Sequence, residues 1–363
     1  MQPIAACRLM PRSGGEVWLG SYLHRAMALV ASVLVTIALP TDARAQSLVA
    51  DGIPITGEGT FTIGAGGGVG WSALNGGSIT GTGPAFITTI DSFGFGATVE
   101  SGGKITLFNG STITTTGDSA TGFISEGPGS AITASNVVVK TSSPFASGIV
   151  VRSGATVTVM DSTLTMTGPN ARALHMIGPS DGLTQQTAKF TNSALSSAGA
   201  SAINIEGGTA NVSLTMSSVI GNGLWLDVRD AIDSPAVLHL TADSSILTGA
   251  AITVGTSTVI LQNGTIWNLT GDSNLTNLTN DKSLIDFSPR IDGLFKTLTV
   301  VNYIGAGGTI GLNTFLGSDL DGVVQGTWYD MKGQSTRFPA LETDGFGFAA
   351  SLESGVPFRF AGG

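Results

Sequence analysis

This chain contains a single cysteine, Cys7, among 363 residues. Disulfides, thiolate nucleophiles and cysteine-type zinc sites are therefore excluded from everything beyond the N-terminal segment. Charge is scarce too: Asp, Glu, Lys and Arg make up 11% of the residues, against about 25% in ordinary globular proteins. The 16 basic residues are outnumbered by 25 acidic ones and form no cluster, which argues against a nucleic-acid partner. No Arg-Gly-Asp triplet occurs, so integrin-style adhesion has no support, and no long amphipathic helical period follows residue 50.

What is present is glycine, 52 residues of it, with abundant Ser, Thr and Asn and a hydrophobic share of 42%. That apolar content is ample for a core, so low charge here does not mean disorder. Frequent turns and β-branched residues point to an all-β protein.

The N-terminus has three parts. Arg8, Arg12, His24 and Arg25 precede an apolar run from Ala26 to Leu39, and Ala43-Arg44-Ala45 follows as a small-x-small site. The pattern predicts a secretory signal over residues 1–45, cleaved between Ala45 and Gln46. The run is too short to span a bilayer comfortably as a helix. Cys7 leaves with this segment, as do four arginines and two acids; 12 basic and 23 acidic residues remain, for a net charge of about −11.

Between Ile105 and Ile266 one phrase is written seven times: apolar, any, apolar, any, then usually Asn or Asp. The copies are Ile105-x-Leu107 with Asn109, Ile132-x-Ala134 with Asn136, Val157-x-Val159 with Asp161, Ala188-x-Phe190 with Asn192, Val212-x-Leu214, Leu238-x-Leu240 with Asp243, and Val259-x-Leu261 with Asn263. Their spacings are 27, 25, 31, 24, 26 and 21 residues. A period in this range is the mark of a solenoid. The alternation gives a strand with one face inward. Asn or Asp gives a bend that tolerates left-handed geometry. A second strand follows, as in Ser162-Thr163-Leu164-Thr165-Met166. One such coil cannot bury its own apolar face, so coils must stack about 4.8 Å apart as a parallel β-helix, with seven to nine coils over residues 46–266. Asn75-Gly76-Gly77-Ser78 echoes Asn109-Gly110-Ser111 and predicts an early coil or cap within the glycine-rich residues 46–100. The longest spacing holds Gly168-Pro169-Asn170 and Gly178-Pro179-Ser180-Asp181-Gly182, which predicts a loop thrown out from the stack.

Catalytic signatures are thin. Gly117-Asp118-Ser119 and Gly271-Asp272-Ser273 sit at turn positions without the flanks of a protease, and only His175 and His239 could serve them. His239 lies between Leu238 and Leu240 and faces away from both. Asp227, Asp230 and Asp233 surround Arg229, a cluster that a solvated loop explains. No cofactor or metal set is found. The Asn-x-Ser/Thr triplets at Asn109, Asn263, Asn268 and Asn274 read as turn composition.

From Trp267 the pattern changes to Trp-Asn-Leu-Thr-Gly-Asp-Ser-Asn-Leu-Thr-Asn-Leu, followed by Ser283-Leu284-Ile285-Asp286-Phe287, Phe295-Lys296-Thr297-Leu298-Thr299-Val300 and Gly305-Ala306-Gly307-Gly308-Thr309-Ile310-Gly311-Leu312-Asn313-Thr314. Short alternating strands between turns would form a β-sandwich-like plug on the last coil. This run closely resembles the C-terminal passenger region of pertactin-like autotransporters. The resemblance implies a right-handed parallel β-helix and a terminal cap module over 267–320 that nucleates passenger folding, with Trp267, Leu275, Leu278, Phe287, Leu298 and Leu312 as its core. Val323 to Asp330, Thr343 to Gly347 and Ser351 to Phe358 in turn resemble strands from the middle of the family's membrane barrel, assigning 321–363 to a barrel fragment. So few strands cannot close a barrel, and a helical linker and later strands are expected but absent, as after a deletion and truncation or in a gene-model fragment.

The resemblance implies a surface passenger without catalytic activity, an adhesin or host-contact protein that is monomeric. Its partners would be a host-surface protein or glycan, together with Sec export and outer-membrane assembly machinery. It would stand at the cell surface, or in the periplasm if the barrel is incomplete. The alternatives are a β-helical carbohydrate-active enzyme or a nonfunctional remnant of an autotransporter gene.

Overall fold

The computed structural model describes residues 47–64, 68–179, 184–287 and 296–311, and strands at 322–329, 335–337, 341–343, 349–353 and 358–362. The signal segment with Ala45 and Gln46, and Leu312, lie outside the described residues.

The chain winds as a parallel β-solenoid of about ten turns. One turn shows the plan. Thr121–Glu126 forms side A, Ala131–Ser135 side B and Val138–Thr141 side C. Each pairs in parallel with its equivalent one turn on: Ser147–Arg152, Thr156–Met160 and Thr163–Met166. Each coil thus has three sides; the repeat phrase predicts two. Side A escapes the alternation rule because its strands read as unbroken runs of small and apolar residues, such as Thr121-Gly122-Phe123-Ile124-Ser125, all buried. Such runs lack the period of 2 that reveals a half-buried strand.

The seven-fold phrase is side B. Ile105, Ile132, Val157, Ala188 and Val212 stack in one inward row, and Leu107, Ala134, Val159, Phe190 and Leu214 in the next. All are buried at 2% exposure or less, each large one contributing about 1.5–3 kcal/mol by leaving water. The sixth copy is set differently from its sequence alignment. Val212 pairs with Leu240 and Leu214 with Ala242, which places Leu240-x-Ala242, not Leu238-x-Leu240, in the phrase. Leu238, Leu240 and Ala242 all face inward, so alternation fits either choice. The corner decides it, because in each of the seven copies the left-handed residue comes two after the second apolar one, and here that residue is Ser244, φ 50°.

The first turns begin at once: Leu48–Asp51 pairs with Val69–Leu74, and Pro54–Ile63 with Ser78–Thr89. The described residues between 47 and 100 are therefore coils of the stack, not a separate cap. The echo between Asn75 and Asn109 reflects shared turn chemistry, not a shared place. Asn75 (φ 51°) turns from side A to side B, and Asn109 (φ 60°) from side B to side C. Gly168-Pro169-Asn170 is likewise an ordinary corner, with the Asn170 amide bonded to Gly199 O one turn on. The extra length of the long repeat falls between Arg172–Ile177 and Gln185–Thr191, where Pro179 O accepts from Ser234 Oγ at 3.0 Å. Residues 180–183 lie outside the described residues.

Beyond residue 266 the described strands keep stacking in parallel instead of forming a sandwich-like plug. Ile266–Asn268 pairs with Leu284–Asp286, Thr256–Gln262 with Ser273–Asp281, and Ser273–Asp281 with Leu298–Gly311. The reason is that Trp267, Leu278 and Ile285 still point into the column built by the earlier coils. Leu298–Gly311 meets parallel strands on one side and, on the other, antiparallel Ala349–Glu353 and Phe358–Gly362. Phe358–Gly362 also pairs antiparallel with Gly322–Tyr329.

Candidate functional site

The corner from side B to side C repeats one backbone conformation turn after turn. Asn109, Asn136, Asp161, Asn192, Met216, Ser244, Asn263 and Lys282 occupy it in successive turns, all with φ between 47° and 60°. Asx residues adopt this conformation readily because the short polar side chain bonds locally. Asn192 Nδ2 donates to Asp161 Oδ1 at 2.7 Å, and Asn263 Nδ2 to Asp243 Oδ2 at 2.8 Å. Asp243 also accepts from Ser244 Oγ and Gln262 Nε2, and these donors hold its carboxyl below the usual range.

Beneath the corner runs a hydroxyl ladder that the repeat phrase does not reveal. Ser162, Ser193, Ser217, Ser245 and Thr265 each follow the corner residue by one or two positions and are buried. Each accepts an amide from the turn before: Val137 N at 2.9 Å, Ser162 N at 3.2 Å, Ser193 N at 3.1 Å, Ser217 N at 3.1 Å and Ser245 N at 3.1 Å. Four also donate to the carbonyl two residues back. The amides left over by the turn are thus satisfied without water. The signal in sequence was a Ser or Thr one or two positions after the corner residue, as in Asp161-Ser162, Asn192-Ser193 and Asn263-Gly264-Thr265.

A shallow groove of about 340 Å³ follows this corner from Asp161 to Ile246. Its floor is Ser162, Ser193 and Ser217, whose hydroxyls are committed to the ladder, and its rim carries Asp161, Asn192, Met216 and Ser244.

Side A carries three pairs of basic and acidic side chains, Arg152 with Glu126, His175 with Glu206 and Arg229 with Asp227. His175 Nε2 lies 3.2 Å from Glu206 Oε2. Burial and the positive charges of Arg172 and Arg152 outweigh that carboxylate and push the imidazole down to about 4. Arg229 meets Asp227 with two nitrogens, Nε to Oδ1 and Nη2 to Oδ2, both at 2.8 Å. The solvated loop expected for the acidic cluster holds for Asp230 and Asp233, which are exposed, but not for Asp227, which is buried under that fork; Asp230 Oδ1 accepts the Ala236 amide at 2.7 Å. The two serine motifs are corners. Ser119 has φ 55°, and Ser273 Oγ accepts from Ala251 N while donating to Gly271 O. His239 faces outward and is exposed. No group of three or more metal-ligating side chains occurs among the described residues.

Of the terminal core positions, Trp267, Leu275, Leu278 and Leu298 are buried, and Phe287 packs partly buried against the core. Trp267 Nε1 donates to Gly249 O at 2.9 Å. Asn280, fully buried two residues beyond Leu278, donates to the Tyr303 hydroxyl and to Thr309 O, both at 3.2 Å, and so joins the last two turns.

The corner from side C to side A holds residues that composition alone did not single out. Phe93, Ser119, Phe145 and Asn170 stack there, each amide bonded to the next turn. Both phenylalanines have positive φ, 58° and 56°, and stand 64% and 59% exposed.

Residues 273–324 match a family model, autochaperone domain type 1. No curated protein and no solved structure matches the chain. A parallel β-solenoid ending in an autotransporter-associated domain fits an autotransporter passenger, exported toward the cell surface.

Proposed function

We propose that this chain is a surface-displayed autotransporter passenger that acts by contact, without catalysis, and that residues 267–320 serve it as a folding cap. The observation that carries the reading is the position of the autochaperone match, residues 273–324: its described strands Ser273–Asp281, Leu284–Asp286 and Leu298–Gly311 are the last parallel strands of the stack. A finished terminal turn offers a strand edge on which the preceding coil can pair, so folding can propagate along the column one turn at a time. Trp267, Leu275, Leu278, Phe287, Leu298 and Leu312 are the apolar set that would hold this turn.

Contact rather than chemistry is supported by the way the carboxylates are used. Asp227 is tied to Arg229, Asp230 to the Ala236 amide and Asp161 to Asn192. A general base needs a free lone pair within reach of substrate. The partner would be a host-surface protein or glycan. Export would run through the Sec machinery after cleavage between Ala45 and Gln46, and outer-membrane assembly machinery would complete display.

The test is refolding of the full chain with Leu278→Ala compared with Ile79→Ala, both fully or almost fully buried. The cap reading expects Leu278→Ala to slow refolding several-fold while Ile79→Ala mainly speeds unfolding. Equal effects of the two on the folding rate would sink it.

A further inference from the structure

Phe93 and Phe145 occupy a backbone conformation that costs a bulky residue strain and costs Asn or Gly little. The same column shows the easy solutions: Ser119 and Asn170 hold the equivalent places. Neither phenylalanine earns its place by packing, since both rings are largely in water and the buried position beside them is filled by Gly94, Ala120, Ala146 and Ala171 in turn. Strain kept at an exposed position, twice in one column, marks a functional constraint.

The ladder fixes their spacing. The Phe93 amide donates to Asp118 O, Ser119 to Pro144 O, and Phe145 to Pro169 O. The two rings therefore stand two turns apart, about 10 Å, on a rigid edge. Small Ser119 lies between them, and exposed Pro144 and Pro169 extend the apolar strip. No Lys or Arg occurs in the four corner segments 91–94, 117–120, 143–146 and 168–171, whereas exposed Asp118 offers a hydrogen-bond acceptor. Such an edge repels polyanions. It is convex, so it gives a protein anchor no pocket to fill.

We infer that this edge binds a linear, uncharged, β-1,4-linked polysaccharide, with Phe93 and Phe145 stacking on the apolar faces of alternate sugar rings. The spacing matches every second ring of an extended β-linked chain, and Asp118 is placed to accept a sugar hydroxyl between them. The inference names the partner class for the contact function proposed above. Purified protein is enough to test it, so its failure is separate from failure of the cap reading, which is measured by refolding.

The experiment is retention of the full chain on cellulose and on chitin, with granular α-1,4-glucan as the control, for wild type, Phe93→Asn, Phe145→Asn and the double variant. The expected result is retention on at least one β-linked polymer and none on the α-glucan. Each single substitution weakens retention about tenfold, and the double abolishes it. The melting temperature stays unchanged or rises by about 1–2 °C per substitution, because Asn relieves the strained φ. No retention on either β-linked polymer, or equal retention by the double variant, overturns the inference. So does a clearly lower melting temperature, which would make the rings packing elements.

Discussion

Trp225 and Trp267 meet edge to face inside the solenoid, their ring centroids 5.8 Å apart and their planes at 81°. Both are fully buried, yet only Trp267 has a partner for its indole nitrogen, Gly249 O; Trp225 Nε1 has none. The pair joins the main stack to the terminal turns, and its asymmetry makes the two residues unequal under the same substitution.

Trp267→Phe should therefore cost about 1–2 kcal/mol more than Trp225→Phe. Both shrink the core by a similar volume, but the first also strands a buried carbonyl, and the second removes an unpaired donor. Chemical denaturation of the two variants checks it; equal losses would mean that the Gly249 bond contributes nothing.

Ser193→Ala should destabilise by about 1–3 kcal/mol despite deleting one oxygen, because it leaves the buried Ser162 amide without an acceptor. Thr163→Ala, exposed on side C of the same groove, should stay within about 0.5 kcal/mol. Hydrogen exchange at Ser162 should accelerate in the first variant alone.

Met216 is the misfit of the Asx corner, with φ 49° and 57% exposure between Asn192 and Ser244. Met216→Asn should stabilise by about 0.5–1 kcal/mol by relieving left-handed strain without loss of core contacts. A lower melting temperature would show that the methionine packs usefully over the groove.

His175 gives stability a pH dependence. Its folded value, about 4, lies below the ordinary imidazole value of 6.5, so the unfolded chain binds the extra proton first. Stability is then complete above about pH 6.5 and falls as pH drops toward 4, by up to about 3 kcal/mol. Arg172, Arg152 and Glu206 are the charges facing the ring, the arginines favouring the neutral form and Glu206 opposing them. His175→Gln should flatten that part of the profile. Urea midpoints at pH 7 and pH 4.5 measure it, and a slope unchanged in the variant would assign the effect elsewhere.

Much of this was legible from residues alone. Ile132, Ala134 and Asn136 announce a strand and a left-handed turn because side-chain direction alternates strictly along a strand and few residues tolerate positive φ. Those are local constraints, and repetition of the phrase turns them into a stack. The terminal turns were less legible, since Trp267 and Leu278 carry the same pattern whether they plug the column or lengthen it.

By itself, then, the sequence determined the solenoid, its apolar rows and its Asx corners, since each follows from the geometry of a few neighbouring residues. Only the tertiary structure decided the rest. It chose Leu240 and Ala242 over Leu238 and Leu240, because a period of 2 is indifferent to a shift of two and the corner at Ser244 is not. It revealed side A, whose buried runs have no period to read. It also brought Phe93 and Phe145, 52 positions apart in the chain, onto one edge two turns apart, because stacking converts sequence distance into the fixed spacing between strands.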